Sequence, residues 1–175
     1  VGTWVGAIAT AFAAGLALWF QHKADNSNIE HINTRFSTGI MAPDIKVFTL
    51  NIVSIGQKPV KIQSIIFQMS NIKLDLWVRP LPGSSPIPFT LQFYSDDATY
   101  IMPHDKLIRN FSCQGAEASK LNLIVITSTK TFNVDITDTI SYLTEQINRS
   151  ITEGYTPDAY EFNKLHGIDI INDGN

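Results

Sequence analysis

The amino-acid sequence predicts a mainly β protein, in which an N-terminal transmembrane helix precedes an antiparallel β-sandwich and a C-terminal amphipathic helix. Three observations predict this fold class. Residues 1–20 carry no charge. About eight short segments within residues 44–136 alternate apolar and polar residues, which is the period of half-buried strands. Apolar residues at helical spacing return only after residue 137.

The composition of the chain limits the classes of function that it can have. The chain has 175 residues, of which 17% are charged, and its formal net charge is -3. The charges are scattered and form no basic stripe, so we expect no nucleic-acid partner. Cys113 is the only cysteine, and a chain that folds without a disulfide mildly favours a reducing compartment.

Residues 1–22 are predicted to form a retained transmembrane helix, with membrane lipid as one partner. At about 1.5 Å per residue, the uncharged run matches the roughly 30 Å hydrocarbon core of a bilayer. Trp4 and Trp19 stand near its ends, where interfacial aromatic residues are common. A signal peptide is the alternative, but the residues that follow make a poor cleavage site.

Small residues recur every four positions along this helix. One row consists of Gly2, Gly6, Thr10 and Ala14, and an adjacent row of Ala7, Ala11 and Gly15. Such rows let another helix approach closely. They predict packing against other membrane helices, in a homo-oligomer or a hetero-complex. The alternative is a solitary anchor, because Ala and Gly are common in membrane helices.

Basic residues follow the predicted span and none precedes it, which favours a cytoplasmic β domain over an exported one. Residues 23–43 are predicted to be a polar linker, with a helical extension over residues 25–35 as one option. In residues 44–136, the apolar set of one strand shifts by one residue near Ser64, which predicts a β-bulge. Short strands are also predicted over residues 99–102 and 107–112.

Residues 137–175 are predicted to form a helix and tail that pack on the sandwich. Thr137 or Asp138 can cap the helix, and Gly154 can end it in a left-handed conformation. A second short helix is expected from Pro157 to Leu165. The final isoleucines could add a strand, and residues 169–174 are interpreted as a solvated tail rather than a calcium loop.

The sequence predicts neither a metal site nor a catalytic site, and no cofactor. The four histidines are not spaced as metal ligands. His104 is interpreted as a surface turn residue rather than a general base. Cys113 lies in an apolar context and is interpreted as a buried structural thiol.

Three aromatic residues are candidates for a partner-binding patch. Trp77 and Tyr94 fall on the strand faces opposite the main apolar sets, and Tyr100 is near them in sequence. An exposed aromatic cluster is a common mark of a binding surface. The alternative is that the helix over residues 137–152 covers this face.

The segment from Leu50 to Ile62, LNIVSIGQKPVKI, is similar to a hairpin that joins the first two strands in a loose group of small bacterial and phage-associated membrane proteins. These proteins have one N-terminal span and a C-terminal immunoglobulin-like sandwich, and their function is unassigned. Ser54 replaces the Asn that is commoner there. The resemblance implies an immunoglobulin-like fold and a single-pass location, and carries over no catalytic residue.

Together these features predict a non-enzymatic single-pass membrane subunit that assembles through its helix and binds partner protein through its β-sandwich. A bacterial defence or transport complex is one setting for such a subunit. An exported, membrane-tethered sensor or adhesin is the alternative, and a membrane-linked hydrolase is a third hypothesis. A cluster of Asp, His and Ser in one cleft would favour the hydrolase.

Overall fold

The structure, a computed structural model, describes residues 2–27, 29–41, 43–94 and 96–165, without the side chains of residues 2–9, 24–27 and 162–163. Six consecutive strands follow the first helix, and the remaining helices flank or follow the last two strands. In chain order the elements are α1 (Gly2–Ser27), β1 (Ile32–Met41), β2 (Ile45–Ser54), β3 (Val60–Met69), β4 (Leu74–Trp77), β5 (Phe89–Leu91), β6 (Asp97–Pro103), α2 (His104–Cys113), β7 (Leu121–Thr127), β8 (Thr131–Val134), α3 (Ile140–Thr152) and α4 (Pro157–Leu165).

The strands form two antiparallel sheets. The first sheet has the order β1-β2-β6, and the second has the order β4-β3-β7-β8, with β5 also paired to β3. Two antiparallel sheets are consistent with the sandwich that the sequence predicts. The predicted fold class is nevertheless wrong, because helices take a share of the described chain comparable to that of the strands. The architecture is mixed α and β, not mainly β with an immunoglobulin-like arrangement.

Aromatic side chains join the two sheets and one helix across a single core. Phe36 of β1 stacks on Phe48 of β2 with 5.3 Å between ring centroids, and meets Phe67 of β3 edge-to-face at 6.0 Å. Phe67 in turn contacts Phe111 of α2 edge-to-face at 5.1 Å. Such pairs add about 0.5–1.5 kcal/mol each beyond the area that they bury.

The predicted bulge in β3 is confirmed. This strand spans Val60–Met69, and its pairing with β7 shifts in register between Ile62 and Ser64. The extra residue returns Ile65 and Phe67 to the core face, on which Ile62 also lies. A one-residue shift in sequence pattern therefore marks a real change of register.

The first strand lies inside the predicted linker, so the option of a helical extension over residues 25–35 is wrong beyond Ser27. β1 pairs with the whole length of β2, from Ile32 opposite Ser54 to Met41 opposite Ile45. Thr34, Phe36 and Thr38 fall at every second position and indicate a strand. The positions between them are polar as well, because only one face of this edge strand is buried. Apolar and polar residues therefore do not alternate clearly in the sequence.

The predicted strand over residues 107–112 is also wrong, because these residues lie in α2. Leu107, Ile108 and Phe111 are buried together at helical spacing. Asp105 in the first turn is favourable at a helix N-terminus. A strand would have placed Leu107 and Ile108 on opposite faces.

The C-terminal helices agree with the periodicity. α3 buries Leu143 and Ile147, and Gly154 after it has a φ of 101°, as a left-handed helix end requires. A 3₁₀ turn over Thr137–Thr139 precedes α3, and no side-chain hydrogen bond caps its start. The predicted final strand and residues 169–174 lie outside the described residues.

Across the part of the chain that the structure describes, no helix combines the length and apolar content that a membrane crossing needs. This finding contradicts the predicted single-pass membrane location and the transmembrane assignment of residues 1–22. The described side chains of α1 supply one apolar run, residues 11–20, before Gln21. A span needs about 20 such residues. The transmembrane prediction relied on the lack of charge in this segment. Ala, Gly and Thr are also uncharged, but they add little apolar surface.

We expect Tyr100→Phe to change how stability depends on alkaline pH. Burial raises the pKa of Tyr100 to about 12, above the value near 10 of an exposed tyrosine. The unfolded chain therefore loses this proton first, and the free energy of unfolding falls between about pH 10 and pH 12, by up to about 2 kcal/mol. Urea unfolding at pH 9 and pH 11 should show a smaller fall in Tyr100→Phe than in the parent. Equal falls would contradict the prediction, and Tyr94→Phe, at an exposed site, is the control.

Candidate functional site

The N-terminal helix is the most exposed apolar feature of the described chain. Every residue of α1 from Thr10 to Lys23 is exposed. Phe12 and Phe20 keep 70% and 59% of their surface accessible. α1 makes no extensive contact with another described helix or strand. Its apolar side chains are therefore not covered by the chain's own domain.

Two patches of different side-chain size lie on different faces of α1. One face, which we name the large face, consists of residues at positions i, i+4, i+7 and i+8 of the helix, namely Phe12, Leu16, Trp19 and Phe20. The small face, about a third of a turn away, consists of Thr10, Ala13, Ala14 and Ala17. Trp19 and Phe20 contact edge-to-face at 5.0 Å, and Lys23 lies over the Trp19 ring at 5.2 Å.

The predicted helix-packing residues divide between described and undescribed side chains. Thr10, Ala11, Ala14 and Gly15 are exposed, and a Cβ added at Gly15 would meet nothing within 4 Å. Trp19, predicted at a membrane interface, is exposed too. For Gly2, Trp4, Gly6 and Ala7 the structure describes the backbone alone. Their predicted roles stay predictions.

The chain that follows α1 is tied directly to the β-rich domain. Glu30, with 2% of its surface exposed, accepts a hydrogen bond of 2.5 Å from the Thr127 hydroxyl at the end of β7. The backbone N–H of Ile55 donates to the carbonyl of His31 at 3.1 Å. A Cβ at Gly56 would lie 3.2 Å from the His31 nitrogen, which is tighter than an ordinary van der Waals contact, so this close approach favours glycine.

The three candidate aromatic residues do not form one patch. Trp77 and Tyr94 are exposed, whereas Tyr100 is fully buried, because it pairs with Leu50 on the core face of the first sheet. Trp77 pairs with Ile66 of β3. Val60, six positions earlier in β3, pairs with Leu91, which precedes Tyr94 by three residues. At about 3.3 Å per residue this separation is roughly 20 Å. α3 packs against α2 and does not cover Trp77.

Trp77 borders an apolar groove of about 550 Å³. The segment after β4 lines it with Val78, Leu81 and Ile87 and with three of the prolines in this segment. The indole keeps 65% of its surface exposed. Proline-rich backbone cannot extend the sheet beyond β4, because proline lacks the N–H donor. The groove is thus a concave apolar surface beside an exposed aromatic ring.

His104, predicted on the surface, is instead buried at the start of α2, with 3% of its surface exposed. Its Nδ1 lies 2.6 Å from Asp105 Oδ1, and its Nε2 lies 2.9 Å from the Tyr142 hydroxyl. In a neutral ring, Nδ1 donates to the carboxylate and Nε2 accepts the tyrosine hydrogen. The ring also packs on Phe48, with 4.7 Å between centroids. Because Pro103 directly precedes it, the start of α2 is not apparent from the sequence.

His104, Asp105 and Ser150 line one polar cleft. A cluster of Asp, His and Ser in one cleft is the arrangement that would favour the hydrolase hypothesis. His104 Nε2 is paired with Tyr142, and Ser150 Oγ is buried with no hydrogen-bond partner. Within the described residues, this cleft therefore holds no serine–histidine pair of the kind that activates a nucleophile. Burial, and then Asp105, raise the pKa of Tyr142, which keeps its phenol protonated.

Other reactive groups are placed for structure rather than chemistry. Cys113 is buried at the end of α2, and burial raises the pKa of its thiol. A thiol in this state is a poor nucleophile. No group of three or more His, Cys, Asp or Glu side chains among the described residues could hold a metal ion.

Sequence reasoning missed two residues that position these features, Glu30 and His104. Glu30 lies in a polar segment, where an acidic side chain is ordinarily solvated, and its partner Thr127 is 97 positions away. No local signal indicates such a pair. For His104 a signal existed, since Leu107, Ile108 and Phe111 indicate a helix that starts near it.

We expect Thr127→Val to destabilise the domain by about 2–3 kcal/mol, because it leaves the buried Glu30 carboxyl without its hydrogen-bond donor. Urea unfolding measures the loss, and amide exchange at Ile32 should become faster. Thr127→Ser keeps the hydroxyl and serves as the matched control. A Thr127→Val protein as stable as the parent would show that this contact does not fix the base of α1.

We expect Tyr142→Phe to cost about 1–3 kcal/mol, because buried Nε2 of His104 loses its partner. Chemical unfolding at neutral pH measures the change. Tyr155→Phe is the control, since it removes a hydroxyl nearby and keeps the ring that packs on Arg109. Equal stability of the two variants would contradict a structural role for the His104–Tyr142 bond.

Comparison of the chain with protein-family models, with curated proteins and with solved structures finds no match. The resemblance to the bacterial and phage-associated membrane proteins therefore stays a prediction.

Proposed function

We propose that the protein is a non-enzymatic assembly subunit whose copies associate through α1 and hold their β-rich domains together. One observation carries the proposal: every residue from Thr10 to Lys23 is exposed, including the four large apolar side chains of the large face. A helix with this much uncovered apolar surface needs neighbours to bury it.

The two faces of α1 favour further copies of the same chain as those neighbours. Small residues let a neighbouring backbone approach, and large side chains fill the space that this leaves. Because one helix carries both the large and the small face, identical copies are sufficient. A contact between two different patches is heterologous, and it closes into a ring when the rotation between copies allows.

The β-rich domain adds a second surface to this subunit. Partner protein is predicted to bind at the Trp77 groove, where an exposed indole stands beside an apolar concavity. Aromatic residues are enriched in the cores of protein interfaces. This surface lies on the domain rather than on α1, so assembly and partner binding can occur together.

We expect the full chain, of 19.5 kDa, to have a solution mass that is a multiple of this value in light scattering or sedimentation. Phe12→Ser combined with Phe20→Ser should raise the concentration at half-assembly at least about 100-fold, because each side chain loses roughly 1.5–3 kcal/mol of burial. Ala14→Trp should also weaken assembly, because a bulky ring on the small face blocks close approach.

Ile40→Ser combined with Ile45→Ser is the matched control, because both side chains are exposed apolar residues at the far end of the β1–β2 hairpin. Circular dichroism checks that each variant is folded. A monomeric parent, or an assembly that the α1 variants leave as stable as the hairpin variants do, would overturn the proposal.

A further inference from the structure

Three exposed apolar side chains form a rim at the base of α1. We name Ile55, Phe93 and Tyr94 the basal rim. Phe93 and Tyr94 each keep 60% of their surface exposed, and Ile55 is exposed as well. Two adjacent exposed aromatic residues beside an isoleucine are unusual on a surface that nothing covers.

Hydrogen bonds place the rim at the point where α1 leaves the domain. The Tyr94 N–H donates to the Gly56 carbonyl at 3.4 Å, and the Ile55 N–H donates to His31 at 3.1 Å. His31 lies four residues after Ser27, the last residue of α1. The three rim residues therefore stand on two neighbouring loops beside the helix base.

The loop that carries Phe93 and Tyr94 is held in a specific conformation. Asp96 Oδ2 accepts from the Gln92 N–H at 2.8 Å, and the Asp96 carbonyl accepts from the Ser54 N–H at 3.0 Å. Tyr94 has a φ of 39°, in the left-handed region that a bulky residue rarely adopts. Such a conformation costs of order 1–3 kcal/mol and persists where the surroundings hold it.

Assembly through α1 brings neighbouring domains together at this rim. Packed helices lie about 8–10 Å apart, whereas a domain of this size has a radius of gyration of roughly 14 Å. Only two residues separate Ser27 from the buried Glu30. Domains joined to packed helices by so short a link meet near the helix base.

We propose that the basal rim is a second contact between copies of this chain, in which Phe93 and Tyr94 of one copy pack against its neighbour beside the α1 bundle. The inference rests on the proposed assembly through α1 and names where the domains touch. A second copy is the favoured occupant, because the same helix packing that assembles the copies also brings a neighbouring domain to this position.

The test compares rim and helix variants of the full chain by sedimentation. Phe93→Ser combined with Tyr94→Asn should raise the concentration at half-assembly at least about 10-fold, with the secondary structure unchanged. Asn tolerates the left-handed backbone at position 94, so the loop keeps its conformation. Ile40→Ser combined with Ile45→Ser, which changes two exposed apolar residues at the far end of the β1–β2 hairpin, is the matched control and should leave assembly within about twofold.

Cross-linking gives a second readout. In a Cys113→Ala background, Phe93→Cys should link copies through a short bifunctional maleimide, whereas Ile40→Cys, at the far end of the β1–β2 hairpin, should not. If the α1 variants abolish assembly while the rim variants leave it unchanged and no link forms, the rim inference is wrong and assembly through α1 stands. If the rim variants weaken an assembly that the α1 variants leave intact, the proposed role of α1 is wrong and the rim alone joins the copies.

Discussion

The buried hydrogen bond from Thr127 to Glu30 fixes where α1 leaves the domain, and the geometry of any assembly depends on it. Thr127 ends β7 in the second sheet, and Glu30 stands just before β1 of the first sheet. The Thr127 hydroxyl also receives the Lys130 N–H at 3.0 Å, which shapes the turn into β8. One side chain thus joins the start of the first sheet, the end of an interior strand of the second sheet and the base of α1. With 2% of its surface exposed, the Glu30 carboxyl is shielded from the bulk solvent that would otherwise replace a missing donor.

The sequence predicts those elements whose apolar period is strong within the element itself. β3 is one case, since its shift in phase near Ser64 is the register change seen in the sheet. β1 and α2 are the opposite case, because each buries only part of a short segment. In β1, Phe36 is the only buried residue, so the apolar period of this strand is not apparent among its polar residues. In α2, Pro103 and the short apolar run suggest a strand to a reader who lacks the tertiary contacts.

The candidate surfaces likewise differ in whether the sequence alone predicts them. The rows of small residues in α1 are local and can be read from the sequence, as can the exposed face of Trp77. The basal rim cannot be predicted, because Ile55 and Tyr94 are 39 positions apart and their segments are joined by tertiary hydrogen bonds, from Tyr94 to Gly56 and from Ser54 to Asp96. Tyr100 shows the converse error. Its place in a short strand near Tyr94 suggests exposure, but its register opposite Leu50 turns it into the core.

The short link after α1 is consistent with the exposure of its apolar side chains in a single chain. A helix on a long, loose linker could fold back and bury its own apolar side chains on the domain, for example on Phe93 and Tyr94. Here Glu30 and His31 are held by the domain within four residues of Ser27. The helix therefore has little freedom to turn, and it makes no extensive contact with the described strands and helices. The described large-face side chains are exposed within one chain, and the proposed association of copies would cover them.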